Sequence, residues 1–383
     1  MQWNNKKWHD FAPVVFSLIL LAVLLAIPTG FEDHTVYQES YLESAEVLET
    51  DDSSLKDTGL VRSGEQRCRI RILSGVFKGR EAVGKNLLNG SLEQDKLFVP
   101  GDRALIRINY QDGEILSVSM IDHYRIPQEL LLAALFCLVL IVFAGKTGLR
   151  ALLSFAVSVL MIWKVLVPLF LRGFNPVLIG LAIVLVLTVV IITLVFGFDR
   201  RALSAISGCI LGIAVTCVLG MLFTDAFRIH GAVMGNSESL LYSGYSDLNL
   251  TRIFMASIFI GASGAVMDLS VDISSAVYEV VQKKPDISWR EAMKSGMAVG
   301  RAALGTQTTT LLFAYSGGYI AMLMVFMAQG TPLYTVFNLK YVSAEILHTL
   351  VGSVGLCTVA PLTAFVSGFV LTHRKVRLEI PQK

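Results

Sequence analysis

Long apolar runs limit what this chain can become more than any other feature. A helix needs about 20 apolar residues to cross the hydrocarbon core of a bilayer. The chain offers about eight such runs, at 11–28, 127–144, 151–171, 176–196, 203–223, 252–271, 302–329 and 343–371. Hydrophobic residues make up 54% of the 383 positions and charged residues 16%, with a mean hydropathy of +0.62. Soluble domains carry about 25% charged residues, so most of this chain is expected in lipid. The seventh and eighth runs exceed the minimum, which calls for tilt or a break. Gly317–Gly318 is the expected break in the seventh, leaving a re-entrant piece of about 11 residues.

Orientation follows from the basic residues. With the N-terminus cytoplasmic, inside loops and tails hold fifteen Lys and Arg, against four in the short outside loops. The expected arrangement is a bacterial cytoplasmic-membrane protein with both termini inside. Lys6 and Lys7 followed by an apolar run resemble a cleaved signal peptide, but "AIPTGFEDH" has no A-x-A site. Residues 1–28 therefore read as a retained signal anchor.

Residues 29–126 form the one long polar stretch and would lie outside the membrane. Their first part, "ESYLESAEVLETDDSSLKDTG", is acidic and Ser-rich, and reads as a linker or edge rather than core. From Cys68 the pattern changes. "CRIRILSG" alternates apolar and polar, "LFVPGDRALIRI" sets a turn before a strand, and "QDG" joins that strand to "EILSVSMID" as a hairpin. Short strands at this density imply a small β-barrel, OB-like or SH3-like. Arg67, Arg69 and Arg71 share one strand face. With Phe98 and Tyr110 as thin aromatic support and the domain expected outside the membrane, that stripe reads as a solvated face rather than a nucleic-acid groove.

The expected fold is thus a mainly α polytopic helix bundle of about eight spans carrying a small extracytoplasmic β-barrel. Its parts are the anchor at 1–28, the β-rich domain at 29–126, seven helices over 127–373 and a cytoplasmic tail at 374–383. Five scattered cysteines give no disulfide framework or zinc spacing. Ser-His, HExxH and P-loop patterns are lacking. The chain therefore reads as a non-enzyme without cofactor or metal. Its expected surroundings are the lipid bilayer and an unidentified substrate or partner outside, with no nucleic acid.

Asp268 and Asp272 are the unusual residues of the sixth run. They lie one turn apart on one helix face, Asp268 about 24 Å from the outer end of the helix. A carboxylate at mid-bilayer costs about 2.5–3.5 kcal/mol, and two neighbouring carboxylates repel. Protonating the deeper one relieves both costs, which is what proton coupling requires. Ser275 and Glu279 continue the face. Thr306, Gln307, Thr308, Thr309 and Thr310 in the seventh run fall at a matching depth, with Thr306 and Thr310 on the side that would meet the acid. Helix-packing hydrogen bonds account for these residues equally well. Lys164 in the third run is a coupling candidate or a snorkelling cation. Glu345 and His348, at i and i+3 near the outer end of the last run, form a candidate outer site.

Three segments carry a resemblance: "MDLSVDISSAVYEV", "GRAALGTQTTTLLFAYSGG" and "AEILHTLVGSVGLCTVAPLTAF". They are similar to the signature segments of the YibE/F family of bacterial multi-pass membrane proteins. With the anchor and outside domain, the resemblance covers roughly residues 1–373. The family often has an acidic residue after the Gly-Arg of the second segment, and here Ala302 stands there. The resemblance implies a membrane fold and no particular chemistry. A shorter stretch of about 60 residues, from the acid through "YEVVQKK" and "SWREAMKSG" to "TTTLLFAYSGG", is similar to the resistance-nodulation-division superfamily and the SecD/SecF proteins. That likeness implies proton coupling by the transmembrane acid. A proton-driven permease and a non-transporting scaffold that displays its barrel are the two functions in view.

Overall fold

A computed structural model describes residues 2–32 and 40–373, with only the backbone of 2–10. Two compact units result, one of Met1–Phe31 with Ile141–Lys383 and one of Glu32–Leu140. The cationic tail after residue 373 lies outside the described residues.

The smaller unit holds β1 (Ser40–Asp51), β2 (Leu55–Asp57), β3 (Arg62–Ile72), β4 (Glu81–Asn89), β5 (Arg103–Gln111) and β6 (Glu114–His123). Because β1 pairs with both β3 and β5, the sheet closes on itself, and β2 attaches to β3 alone. The ring runs β1–β3–β4–β6–β5–β1, with β4 and β6 parallel and the other pairs antiparallel. This is the strand order of an OB-type barrel, which decides between the two expected alternatives. Alternation fills the inside: Cys68, Ile70 and Ile72 point in, with Ala45, Val47, Ile106 and Ile108 opposite. Burial pushes the Cys68 thiol up to about 11. Arg67, Arg69 and Arg71 point out and pair with Glu65, Glu49 and Glu81 at 2.9, 3.1 and 3.2 Å.

One expectation fails in this unit. The acidic stretch is a barrel strand, not a linker. Ala45 and Val47 of β1 are fully buried while its acids stay on the solvent side. Composition hid the strand because its inward residues are small. The loop between β4 and β5 is held by a buried amide pair. Gln66 Nε2 donates to the Phe98 carbonyl at 2.9 Å, and Phe98 N donates to Gln66 Oε1 at 3.1 Å. Asn86 Nδ2 donates to Gln66 Oε1 at 3.0 Å and to the Lys96 carbonyl at 2.6 Å. The Asp95 carboxylate accepts from the backbone N–H groups of Asn89, Gly90 and Ser91, and the Asn89 bond leads in holding it below the usual carboxylate range.

The larger unit is helical. Its elements are α1 (Gln2–Ala26), α2 (Ile126–Met161), a π turn (Ile162–Leu166), α3 (Val167–Leu171), α4 (Pro176–Phe196) and α5 (Arg200–Ala226). They continue as α6 (Ser237–Tyr242), α7 (Leu250–Lys283), α8 (Trp289–Ser316), α9 (Ile320–Ala328), α10 (Leu333–Asn338) and α11 (Lys340–Thr372). Six stretches are long and apolar enough to cross a membrane, among the described residues: Ile126–Leu171, Pro176–Phe196, Arg200–Ala226, Leu250–Lys283, Trp289–Ala328 and Lys340–Thr372. Phe11–Ala26 is a shorter apolar helix.

Three boundaries differ from expectation. The break near 145–150 is confined to Gly145, whose φ of 54° and ψ of −124° suit glycine alone, and helix resumes at once. Residues 126–140 group with the barrel unit by their contacts, and their side chains are almost all exposed. The stretch between the sixth and seventh runs is helical except at 284–288, because Ser288 and Glu291 form a capping box that starts α8 early. The expected break at Gly317–Gly318 is present as a 3-10 turn over Gly317–Tyr319.

Small residues set the centre of the bundle. A Cβ on Gly212 of α5 would lie 2.7 Å from the Val359 side chain of α11. At Gly208 it would overlap Thr363, and a Cβ on Gly355 of α11 would overlap Thr216. Lipid tails are as apolar as leucine, so helices associate through such close approach. Around this contact pack Val266, Leu269 and Ile273 of α7 and Ala292 of α8.

Two outcomes follow. Gly212→Ala is expected to lower stability by about 1–3 kcal/mol through overpacking. Gly305→Ala, with nothing within 4 Å of its new methyl, should stay within about 0.5 kcal/mol; thermal unfolding in detergent compares them. In the barrel, Asp95→Asn should destabilise at neutral pH. Because the folded carboxyl titrates below its ordinary 3.8, that difference should shrink as pH falls through 3.8 and vanish once the native carboxyl is protonated too. Near-UV circular dichroism of the full chain across pH 2–7 (roughly the carboxylate range) reads it.

Candidate functional site

α7 and α8 run antiparallel. Gly296 meets Val277, Gly300 meets Ile273, and the Tyr315 hydroxyl would stand 2.5 Å from a Cβ on Gly261. Asp268 therefore lies level with Gln307 and Thr308. Along the middle of α7 the exposed residues are Gly261, Gly264, Asp268, Asp272 and Glu279, a stripe at i, i+3 and i+4 spacing, with Arg252, Gln282 and Lys283 exposed at the two ends. Neighbouring Val266, Leu269, Ser270 and Ile273 are fully buried. The carboxylates thus face out of the bundle rather than into it. Neither takes part in a hydrogen bond or ion pair among the described residues.

The hydroxyl run of α8 satisfies itself. Thr306 donates to the Ala303 carbonyl at 3.0 Å, Thr308 to Leu304 at 2.7 Å, Thr309 to Gly305 at 2.9 Å and Thr310 to Thr306 at 2.9 Å. Such back-bonding removes the need for a partner helix. Gln307 differs: its Oε1 is buried without a hydrogen-bond partner.

Lys164 is placed elsewhere. Its Nζ donates to the Ile27 carbonyl at the end of α1 at 3.1 Å, and Arg172 Nη2 donates to the Thr29 carbonyl at 3.0 Å. Two cations thus hold the chain leaving α1, where the carbonyl end of a helix favours positive charge. The structure does not bring Lys164 to Asp268.

Glu345 and His348 sit in richer surroundings than sequence indicated. His348 is packed between Phe254 at 4.9 Å and Tyr315 at 5.5 Å between ring centroids, with its Nε2 3.3 Å from the Ser257 hydroxyl. Glu345 lines a pocket of about 340 Å³ together with Tyr319. The Tyr315 hydroxyl is buried and unpartnered. Sequence reasoning missed Ser257, Tyr315 and Tyr319. The signal available was "FAYSGGY", two tyrosines flanking the expected helix break. No group of three metal-ligating side chains occurs among the described residues.

Several apolar helices long enough to span, packed through glycine and carrying acids on one of them, define a multi-pass membrane protein. It belongs to the YibE/F-like family, whose family model matches residues 132–373, from within α2 to the end of α11. Comparison with curated proteins found no match, and comparison with solved structures found none either.

Lys164→Met is expected to cost about 1 kcal/mol of stability, one hydrogen bond's worth, and to speed proteolysis around residues 27–32. The reactivity of Asp268 should not change, which carbodiimide labelling of the variant checks.

Proposed function

We propose that the protein is a proton-coupled permease of the bacterial cytoplasmic membrane. One observation carries this reading: Asp268 and Asp272 stand one turn apart in an apolar span, with no counter-ion or hydrogen-bond donor among the described residues. Without either, each acid avoids the cost of charge in hydrocarbon by taking up a proton. In this reading the break at Gly145 divides the first long stretch into two spans, the piece after Gly317–Tyr319 is re-entrant, and α1 adds a span to give about eight. Both termini face the cytoplasm, as the bias in Lys and Arg supports, and the barrel lies outside. Asp268 then sits in the inner leaflet. Its protonation biases two arrangements of α7 and α8, while the barrel gates or collects an unidentified substrate.

A second reading has its own observation. The acid stripe faces out of the chain, as an assembly surface would, so a non-transporting scaffold that displays the barrel to partners covers it with another protein. On either reading the chain is not an enzyme: Asp268 and Asp272 share one helix and do not flank a peptide bond.

Carbodiimide reacts with protonated carboxyls in apolar surroundings, and it separates the two readings. In purified protein titrated from about pH 5 to 9, a range that spans neutrality, Asp268 should label near neutral pH. Asp268→Asn removes the reactive carboxyl and should lose that signal, with yield and melting unchanged. An Asp268 that stays unlabelled while a small neutral probe reaches it would sink the coupling idea and leave the scaffold.

A further inference from the structure

The pocket between the α8–α9 turn and α10–α11 has the composition of a binding site. Its lining is almost wholly apolar, with Leu312, Met322 and Phe337 in the walls and Ser316, Tyr319, Glu345 and Thr349 as the residues that carry polar groups. Its volume of about 340 Å³ falls at the lower end for small-molecule sites, about 300–1,000 Å³. Apolar walls with a few convergent polar groups are what such sites have in common.

Glu345 has no ion-pair partner among the described residues. The titratable groups around it are Tyr319, which faces it, Tyr315 on α8, and His348 one turn along α11. None of these is a permanent cation, and His348 is committed to Ser257 and two aromatic rings. Lys340, the nearest basic residue in sequence, lies over the Tyr341 ring instead, 5.0 Å from its centroid. A carboxylate in apolar walls without a cation from its own chain is neutralised either by a proton or by a cation from elsewhere, and the open pocket beside Glu345 makes room for the second. Phe337 and Leu323 at the rim are 59% and 44% exposed on a membrane-spanning unit, so the pocket opens toward hydrocarbon. A hydrophilic ion does not arrive by that route.

We propose that this pocket binds an apolar organic monocation, with its charge against Glu345 and its body against Leu312, Met322 and Phe337. The inference supplies a substrate class for the permease reading and rests on that reading for transport; binding itself does not require it.

The test uses the full chain in lipid nanodiscs and a matched pair of probes, tetraphenylphosphonium and tetraphenylborate, which share shape and differ in charge. The cation should bind saturably and the anion should not. Glu345→Gln should weaken cation binding at least tenfold, and Thr349→Trp, which fills the pocket and keeps the acid, should remove it. Asp268→Asn should bind within twofold of the parent chain. Equal binding of both probes, or cation binding unchanged in both Glu345→Gln and Thr349→Trp, overturns the proposal. Loss of binding in Asp268→Asn with Glu345→Gln intact also overturns it, and moves the site to α7. Cation binding that behaves as expected while Asp268 resists carbodiimide leaves the pocket standing and the coupling reading refuted; the reverse pattern refutes the pocket alone.

Discussion

The close approach of α5 and α11 is the contact on which the larger unit depends. Inside a bilayer no hydrophobic force draws two helices together, so contact is won by backbone proximity and by hydroxyls that bond locally. Gly208 and Gly212 admit Thr363 and Val359, and Gly355 returns the same space to Thr216. α7 then nests against both helices. Val266 packs at Gly212, Ala262 packs at Gly352, and the Ser270 and Thr363 hydroxyls meet at 3.2 Å. α8 follows, because Gly296 and Gly300 accept Val277 and Ile273 of α7 and Ala364 and Ala360 of α11. A side chain added at the first contact would displace each later one.

That packing decides where charge can sit. The face of α7 that meets α5 and α11 holds residues such as Ala262, Val266 and Ser270, all buried at high density. No room for a hydrated carboxylate remains there, and interiors packed this closely do not open for one. The acids therefore occupy the opposite stripe, on the side that Gly261 and Gly264 also share. The same logic puts Glu345 in a pocket wall, beside a turn where α8 has stopped and α11 has just begun. Carboxylates in this bundle collect where helix packing is incomplete, whereas hydroxyls such as those of Ser270 and Thr363 stay in its packed centre.

How far the sequence disclosed this depends on the kind of signal. Cys68, Ile70 and Ile72 alternate with arginines, so the strand was legible, and Asp112–Gly113 fixed the hairpin through positive φ at both positions. β1 was hidden because Ala45 and Val47 bury little area while glutamates dominate its composition. The break at Gly317–Gly318 was legible from the glycine pair, but the early start of α8 was not, because residues 289–301 are too polar to read as membrane helix. Asp268 and Asp272 were legible as residue types. Their outward direction was not, since it depends on which neighbours α7 meets, and spacing along one helix does not contain that. Tyr315 and Ser257 were missed for the same reason: they become neighbours of His348 only through the antiparallel pairing of α7 and α8 and the placement of α11.

Tyr315 joins the two polar regions in space. Its hydroxyl stands at Gly261, on the stripe that carries Asp268, and its ring meets the edge of His348 on the helix that carries Glu345. Gly261 and Asp268 are separated by about 10 Å of helix at 1.5 Å per residue. A shift of α8 along α7 would move Tyr315 and the pocket wall of Leu312 and Tyr319 together, because all three follow one continuous helix into the 3-10 turn. Coupling between sites needs an element with two arrangements that both sites bias. On the proposed reading α8 is the segment placed to be that element: it passes Asp268 at the level of Gln307 and ends at the pocket. The self-bonded threonines suit this role, since a helix that satisfies its own hydroxyls breaks no interhelical hydrogen bond when it slides.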